Sequence, residues 1–443
     1  MNSAYIKGEL SELLDLYREE FVAAGAERSS TERVNRLASI VRSLLIEAHI
    51  YSYPGGMYAV YNGCAYELWG AKQLTGVLQN WLEDIGVGFT EASKVACENR
   101  LTTLRDKEFV ADKSKLCFTN CVYDLDAGIS SDFSPSVMSI HAVPYEYRER
   151  PECPIWEAFL GRVLPDADER ACLQELMGLP FVDRRTLSIE KMALFVGGGA
   201  NGKSVVMSVW KALLGDGNVS TLTPRDLANN KMTYILSGKM LNFSPDVEVS
   251  GNTFSSELKA LASGQAVSGW VLFEGVIEIE CPPLVFAMNR NPVIRDDSDG
   301  MWRRLLVFPF DVTIPAGEQD RTLADKIIRF ELPGVMRWCI EGRNRLIANR
   351  GNFSRCSVME GALRRMRGEV LESEYPVKAY LQRRGLSVTP AYEGQAPRRI
   401  WARELYLGIT TLSRSAIARE LSLYGIKSKK SGETYYEVYE INN

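Results

Sequence analysis

Eight consecutive residues, Gly197-Gly198-Gly199-Ala200-Asn201-Gly202-Lys203-Ser204, have the types and spacing to hold phosphate. They fit G-x-x-x-x-G-K-[ST] and stand between a short apolar run, MALFVG at 192–197, and a helical pattern from Lys203 to Leu214, the context this motif requires. Glycines let the backbone curl until several N–H groups point at one anion. The start of the following helix adds its partial positive charge. Lys203 would reach the β- and γ-phosphates and the Ser204 hydroxyl would ligate Mg2+, with Gly197, Gly199, Ala200, Asn201 and Gly202 lining the cradle. The segment predicts binding of a nucleoside triphosphate.

Three further groups fall in order behind it. After the apolar run MLNF (240–243), Asp246 and Glu248 stand where a strand would end. One carboxylate there can hold the metal and the other can orient the attacking water, and the spacing leaves open which does which. PLVFAM (283–288) ends in Asn289, a polar amide placed to sense a γ-phosphate. Arg303 and Arg304 precede LLVF (305–308) and suit a finger presented to a neighbouring subunit's nucleotide.

The elements that must position these groups are legible in outline. Short apolar runs at 192–197, 240–243, 283–288 and 305–308 suit strands covered on both faces, which predicts an α/β core with a mostly parallel sheet. Upstream, Leu37, Ile40, Val41, Leu44 and Leu45 share one helical face behind Ser29 to Thr31, and residues 51–69 have the texture of short hairpins. LCFTNCVYDL (116–125) reads as one strand-like run, and a break at RPECP precedes two helices carrying Trp156, Phe159 and Leu173. Nine scattered cysteines and two histidines suit a reduced, cytoplasmic chain. Cys117 and Cys121, the one close pair, read as strand residues and not as zinc ligands. Neither a signal peptide nor a membrane span is apparent, so no membrane partner is expected.

Charge is unevenly placed. Residues 364–443 carry a net of +5 and residues 1–363 a net of −9, within a total of −4. A uniform nucleic-acid coat is excluded, but a localised basic module is not. Within that end, a short helix with Arg414 and Arg419, a glycine stop, a turn with Lys427, Lys429 and Lys430 and an aromatic strand have the texture of a winged helix. These cations would contact DNA phosphates without specifying sequence, unless they only form a solvated charged face.

The order of motifs resembles the superfamily 3 helicases, ring-forming AAA+-type motors of small replicons. It is most similar to the helicase half of phage and plasmid primase-helicases and their poxvirus relatives. GGGANGKS (197–204), the strand with Asp246 and Glu248, ELKALASGQ (257–265), FAMNRNP (286–292) and DGMWRRLLVFPF (299–310) carry the resemblance. FTNCVYDLDAG (118–128) and YEYRERPECPIWEAFLGRVLPD (145–166) extend it upstream. It implies a hexamer hydrolysing ATP between subunits, with single-stranded or forked DNA in the channel. It further implies phosphate contact at Lys203, Mg2+ at Ser204 and Asp246, water activation at Glu248, γ-phosphate sensing at Asn289 and action in trans by Arg304 or Arg303. The expected architecture is an α+β N-terminal domain (1–150), a helical collar (151–190), a P-loop AAA+-like core (191–315), a helical extension (316–375) and a winged-helix-like module (376–443).

One departure stands out. The family's pore hairpin usually carries a basic residue, yet 260–289 has no Lys or Arg and includes Glu274, Glu278 and Glu280. Either Lys259 or Lys231 supplies the charge, or Trp270 holds DNA by stacking, or the grip is weak; Trp270 and Phe273 also suit a core. Residues 1–115 lack the acid and histidine constellation of a primase, so a separate primase or initiator is an expected partner. The leading function is a replicative DNA helicase of a phage, plasmid or other mobile element. The alternative is an ATP-regulated origin-binding initiator, and a small-molecule kinase is disfavoured by the arginine pair and the basic end.

Overall fold

The computed structural model describes residues 12–441 apart from 28, 55, 89, 91, 93, 98–107, 230–231, 248–255, 265, 272–274, 293, 295–298, 391–394 and 432. Helices α1 (Arg18–Gly25) and α2 (Ser30–Glu47) open it, and the Ser29 hydroxyl caps α2 by accepting the Glu32 amide at 3.4 Å. Leu37, Val41, Leu44 and Leu45 are buried on one α2 face, as their helical spacing requires. An antiparallel meander of β1 (Ile50–Tyr53), β2 (Met57–Tyr61) and β3 (Tyr66–Gly70) follows, then α3 (Ala71–Asp84). Tyr51 of β1 meets the Tyr66 and Phe109 rings edge to face, and Tyr66 of β3 packs tilted against Phe109.

The run at 116–125 is not one strand. It breaks into β4 (Lys115–Cys117) and β5 (Val122–Asp124), which pair antiparallel and continue to β6 (Ile129–Ser131). The Phe118 amide closes the turn onto the Cys121 carbonyl at 2.8 Å, so Thr119-Asn120 forms a reversal that apolar alternation does not reveal. Cys117 is buried in β4 and Cys121 lies in the turn, outside any strand. No disulfide joins any of the nine cysteines, and no metal-holding group of His, Cys, Asp or Glu occurs among the described residues.

Pro154 opens α4 (Pro154–Val163), and α5 (Ala167–Gly178) follows. The α4 N-terminus is capped from far along the chain: the Glu331 carboxylate accepts the Ile155 and Trp156 amides, each at 2.9 Å. The central sheet has the order β13 (Leu305–Pro309), β7 (Met192–Val196), β12 (Leu284–Met288), β9 (Leu241–Ser244), β8 (Val219–Ser220), and every pairing in it is parallel. This mixed α/β architecture explains the apolar runs. Ala193 and Phe195 face a core shared with α5 and with α6 (Lys203–Leu214), whereas Met192 and Leu194 face a second core on the other side. That second core also takes residues of α7 (Pro224–Leu227) and α8 (Ser256–Ala262). Beside it, β10 (Ala266–Val271) and β11 (Gly275–Glu280) form an antiparallel hairpin.

After α9 (Asp299–Trp302) and β13 come helices α10 (Leu323–Phe330), α11 (Leu332–Ala348) and α12 (Ser357–Glu374). Helix α11 lies so close to α5 that a Cβ on Gly178 would stand 2.5 Å from the Arg343 amide nitrogen. The C-terminal part has its own core. Its order is α13 (Pro376–Arg383), β14 (Leu386–Ser387), β15 (Arg398–Trp401), α14 (Ala402–Gly408), α15 (Arg414–Leu423), β16 (Lys429–Ser431) and β17 (Glu433–Glu440), with β17 pairing β14, β15 and β16. Among the described residues no helix is long and apolar enough to cross a membrane.

Candidate nucleotide site

The phosphate loop leaves the C-terminal end of β7 and is pinned on both sides. The Gly197 amide donates to Met288 O at 3.2 Å, and the Ile314 amide donates to Ala200 O at 2.8 Å. Gly197 has no room for a side chain, since a Cβ there would stand 2.3 Å from Phe310 O. Gly202 turns the chain into α6 with φ +87°, and its missing Cβ leaves space for Phe159 and Val163 of α4. The Lys203 ammonium is gathered into the loop by Gly197 O (2.6 Å), Gly198 O (3.0 Å) and Asn201 Oδ1 (3.0 Å). Burial pulls its pKa below the ordinary lysine value, and the Asp246 carboxylate partly opposes that shift. Asn201 also donates to Phe310 O at 3.0 Å, which ties the loop to the residue just past β13.

Asp246 lies two residues past β9 with φ +53°, a left-handed conformation that costs a non-glycine residue about 1–3 kcal/mol. Its exposed carboxylate accepts the Asn289 amide at 3.0 Å, so residues from the ends of neighbouring strands β9 and β12 meet. Lys203, Ser204, Asp246 and Asn289 line one cavity of about 950 Å³. A hydroxyl and a carboxylate on that cavity are the hard oxygen donors Mg2+ prefers, so the residues present fit that ion. Glu248, the other candidate acid, lies outside the described residues.

Part of the cavity lining is apolar and is not legible in the sequence. Ile155, Ala158 and Phe159 of α4 line the cavity there together with Ile314 and Leu323. An apolar slot beside a phosphate cradle suits a flat base. At the rim Arg162 of α4 pairs with Glu318, and Arg321 also lines the opening. The helical spacing of Trp156, Phe159 and Leu160 marks an α4 face, but only the fold turns Phe159 toward Gly202.

Arg303 and Arg304 are not brought to this cavity. They precede Leu305, which pairs with Met192 at the N-terminal ends of β13 and β7, whereas the phosphate loop leaves the other end. Glu190 holds both guanidiniums, Arg304 at 2.8 Å and Arg303 at 3.2 Å, and Arg304 donates to Gly300 O at 2.6 Å. The Arg304 side chain is 13% exposed and that of Arg303 66%.

The remaining candidates are scattered. Lys259 is half-buried on α8, Trp270 is on β10 without a described side chain, and Lys231 and Phe273 lie outside the described residues. Of the hairpin acids, Glu280 pairs with Lys113 and Arg185, so its charge is offset, and Glu278 is exposed. In the C-terminal part, Arg414 and Arg419 are exposed on α15, with Arg414 5.1 Å from the centre of the Tyr406 ring. Lys427 and Lys430 are exposed at and beside β16, whereas Lys429 pairs with Glu437.

Two segments match known families. Residues 54–165 match a model described as D5 N terminal like, and residues 195–304 match a family of unknown function (DUF5906). A protein of Acanthamoeba polyphaga mimivirus, named provisionally as a helicase, is 29% identical over 205 residues, covering 44% of this chain and 21% of that protein. A similarly named protein of Invertebrate iridescent virus 3 is 24% identical over 222 residues, covering 46% of this chain and 23% of its own length. The chain thus spans between a fifth and a quarter of these relatives. Two A-form apo structures of the NrS-1 C-terminal region have the same overall fold at 11% identity. One has a TM-score of 0.52 and covers 91% of this chain and 99% of its own, and the other has a TM-score of 0.50 with 90% and 98% covered. The D5-like segment and the helicase-named viral relatives together support kinship with D5-type helicases.

Proposed function

We propose that the chain is the motor of a ring-forming replicative DNA helicase, of superfamily 3 type, from a phage, plasmid or other mobile element. In this reading it hydrolyses ATP between subunits and translocates on single-stranded DNA. One observation carries the reading most: Lys203, Ser204, Asp246 and Asn289 share a cavity with an apolar wall, while the arginine pair sits at the opposite end of the sheet. A finger there serves a neighbour's nucleotide and not its own. The exposure of Arg303 favours it as the residue acting in trans, with Arg304 holding Glu190 and the strand start in place.

The chemistry follows from these positions. Lys203 and the loop amides bind and orient the β- and γ-phosphates, so the reacting phosphorus is fixed before attack. Ser204 and Asp246 would hold Mg2+, which when bound would supply charge neutralisation on the phosphate oxygens. Glu248 orients the attacking water, Asn289 registers the γ-phosphate through its contact with Asp246, and Arg303 steadies charge developing in the transition state.

The proposed organisation is an N-terminal α+β domain (1–150), a helical collar (151–190), an AAA+-like core (191–315), a helical extension (316–375) and a winged-helix module (376–443). The helix–strand–strand–helix–helix–hairpin order of the last supports its DNA-binding role, with Arg414, Arg419, Lys427, Lys429 and Lys430 at phosphates. Lys259 and Trp270 are the proposed contacts in the channel. A second reading, an origin-binding initiator that does not unwind processively, is favoured by the absence of Lys and Arg from the 266–280 hairpin. Strand displacement on a forked substrate, with Lys203→Ala as control, separates the two. ATP hydrolysis stimulated by DNA but never accompanied by displacement would establish the initiator.

A further inference from the structure

Arg184, in the segment between α5 and β7, takes no part in the nucleotide cavity and is 4% exposed. Its guanidinium donates to four backbone carbonyls: Ala262 at 2.6 Å, and Cys281, Ile189 and Lys191 at 3.3 Å each. Two of these are the roots of the β10–β11 hairpin, since Ala262 ends α8 before β10 and Cys281 follows β11. The other two flank Glu190, whose carboxylate holds Arg303 and Arg304. The Lys191 ammonium donates in addition to Arg303 O at 2.6 Å, so the 189–191 segment and the arginine pair form one hydrogen-bonded unit.

The surroundings are shaped around this cation. No carboxylate pairs with Arg184 directly among the described residues, so the carbonyls offset the loss of water around a buried charge. Gly264, on the path from α8 into β10, has φ +69°, and a Cβ there would stand 3.3 Å from both Cβ and Cζ of Arg184. A planar guanidinium fork reaches divergent carbonyls in a way that a lysine ammonium, a single point charge, does not.

We infer that Arg184 is a positioning residue that couples the arginine edge of the motor to the β10–β11 hairpin. When the arginine pair engages a neighbouring nucleotide, any displacement of Glu190 shifts the Ile189 and Lys191 carbonyls. The shared guanidinium carries that shift to both hairpin roots. In the opposite direction, a load on the hairpin is felt at the arginine pair. The inference rests on the helicase reading above and adds to it the link between hydrolysis and the hairpin.

The test compares the full-length wild type with Arg184→Lys and Gly264→Ala. ATP hydrolysis is measured with and without single-stranded DNA, kcat and KM are separated, and melting temperature is recorded. Both variants are expected to keep DNA-free kcat and ATP KM within about twofold of wild type while losing about fivefold or more of the DNA stimulation, the lower end of a typical coupling between two sites. Arg184→Lys stimulated as strongly as wild type, at an unchanged melting temperature, overturns the inference. Loss of DNA-free turnover in proportion also overturns it, because Arg184 would then only support the fold. If Arg184→Lys melts early, Gly264→Ala, which keeps the guanidinium and crowds it, decides by the same ratio. A wild type whose hydrolysis ignores DNA refutes the helicase reading itself, and the coupling with it.

Discussion

Mixing two inactive variants tests which chain's nucleotide the arginine pair serves. In the sheet, β13 and β7 run in register from Leu305↔Met192 to Pro309↔Val196, with Arg303 before one end and the phosphate loop after the other. Five strand residues at about 3.3 Å each put roughly 16 Å between those ends, beyond the reach of an arginine side chain. Lys203→Ala removes the phosphate contact, and Arg303→Ala removes a group whose loss lowers turnover by about 10³–10⁵ in related phosphoryl transfers. Each variant alone is expected to be inactive. In a randomly mixed ring, a site is intact when an unaltered loop meets an unaltered finger from its neighbour. Each has even odds at 1:1, so about a quarter of the sites are restored in such a head-to-tail interface. The assay is the initial rate of phosphate release with single-stranded DNA, at constant total protein and after subunit exchange has been verified by native mass. Recovery toward that fraction is expected. A verified mixed assembly no more active than its two components apart would refute the trans assignment, because an arginine acting within its own chain cannot be complemented.

Three other outcomes follow. Burial, reinforced by the Asp166 and Asp311 charges, raises the Glu169 carboxyl from 4.5 to about 8, and one of its oxygens has no hydrogen-bond partner. A raised carboxyl stabilises the fold fully below its unfolded value and loses that contribution as pH climbs through the folded one. Thermal melts should therefore fall between about pH 5 and 8, and Glu169→Gln should flatten that slope by at most a few kcal/mol, at about 1.4 kcal/mol per pH unit. Glu331→Ala strips the α4 cap and leaves two amides unpaired, at about 1–3 kcal/mol each; because α4 forms the apolar wall, denaturant melts should show lower stability and titrations a higher ATP KM. Deleting 376–443 should weaken duplex binding, and flatten its salt dependence, while basal ATP hydrolysis persists; collapse of hydrolysis would make the segment part of the motor's fold.

What could be read directly from the chain was local. The phosphate loop is legible because its glycines, lysine and serine act on one anion within eight residues. The α2 face follows from helical spacing and the Ser29 cap from chain order. The parallel sheet follows from four short apolar runs, since a strand buried on both faces has no polar alternation to show. Where a reversal is made by ordinary residues, as at Thr119-Asn120, the hairpin passes for a single strand. The tertiary structure decided whatever depends on groups far apart in the chain. It brings Asn289 to Asp246, gathers α4 and Ile314 into one apolar lining, and lends Glu331 to a helix that begins more than 170 residues earlier. It offsets Glu280 with Lys113, and it sets the arginine pair at the far end of the sheet from the loop it follows. Spacing along a chain encodes periodicity and local caps. Which strand end a residue occupies, and which carbonyls a buried guanidinium can reach, are decided only when the sheet is assembled.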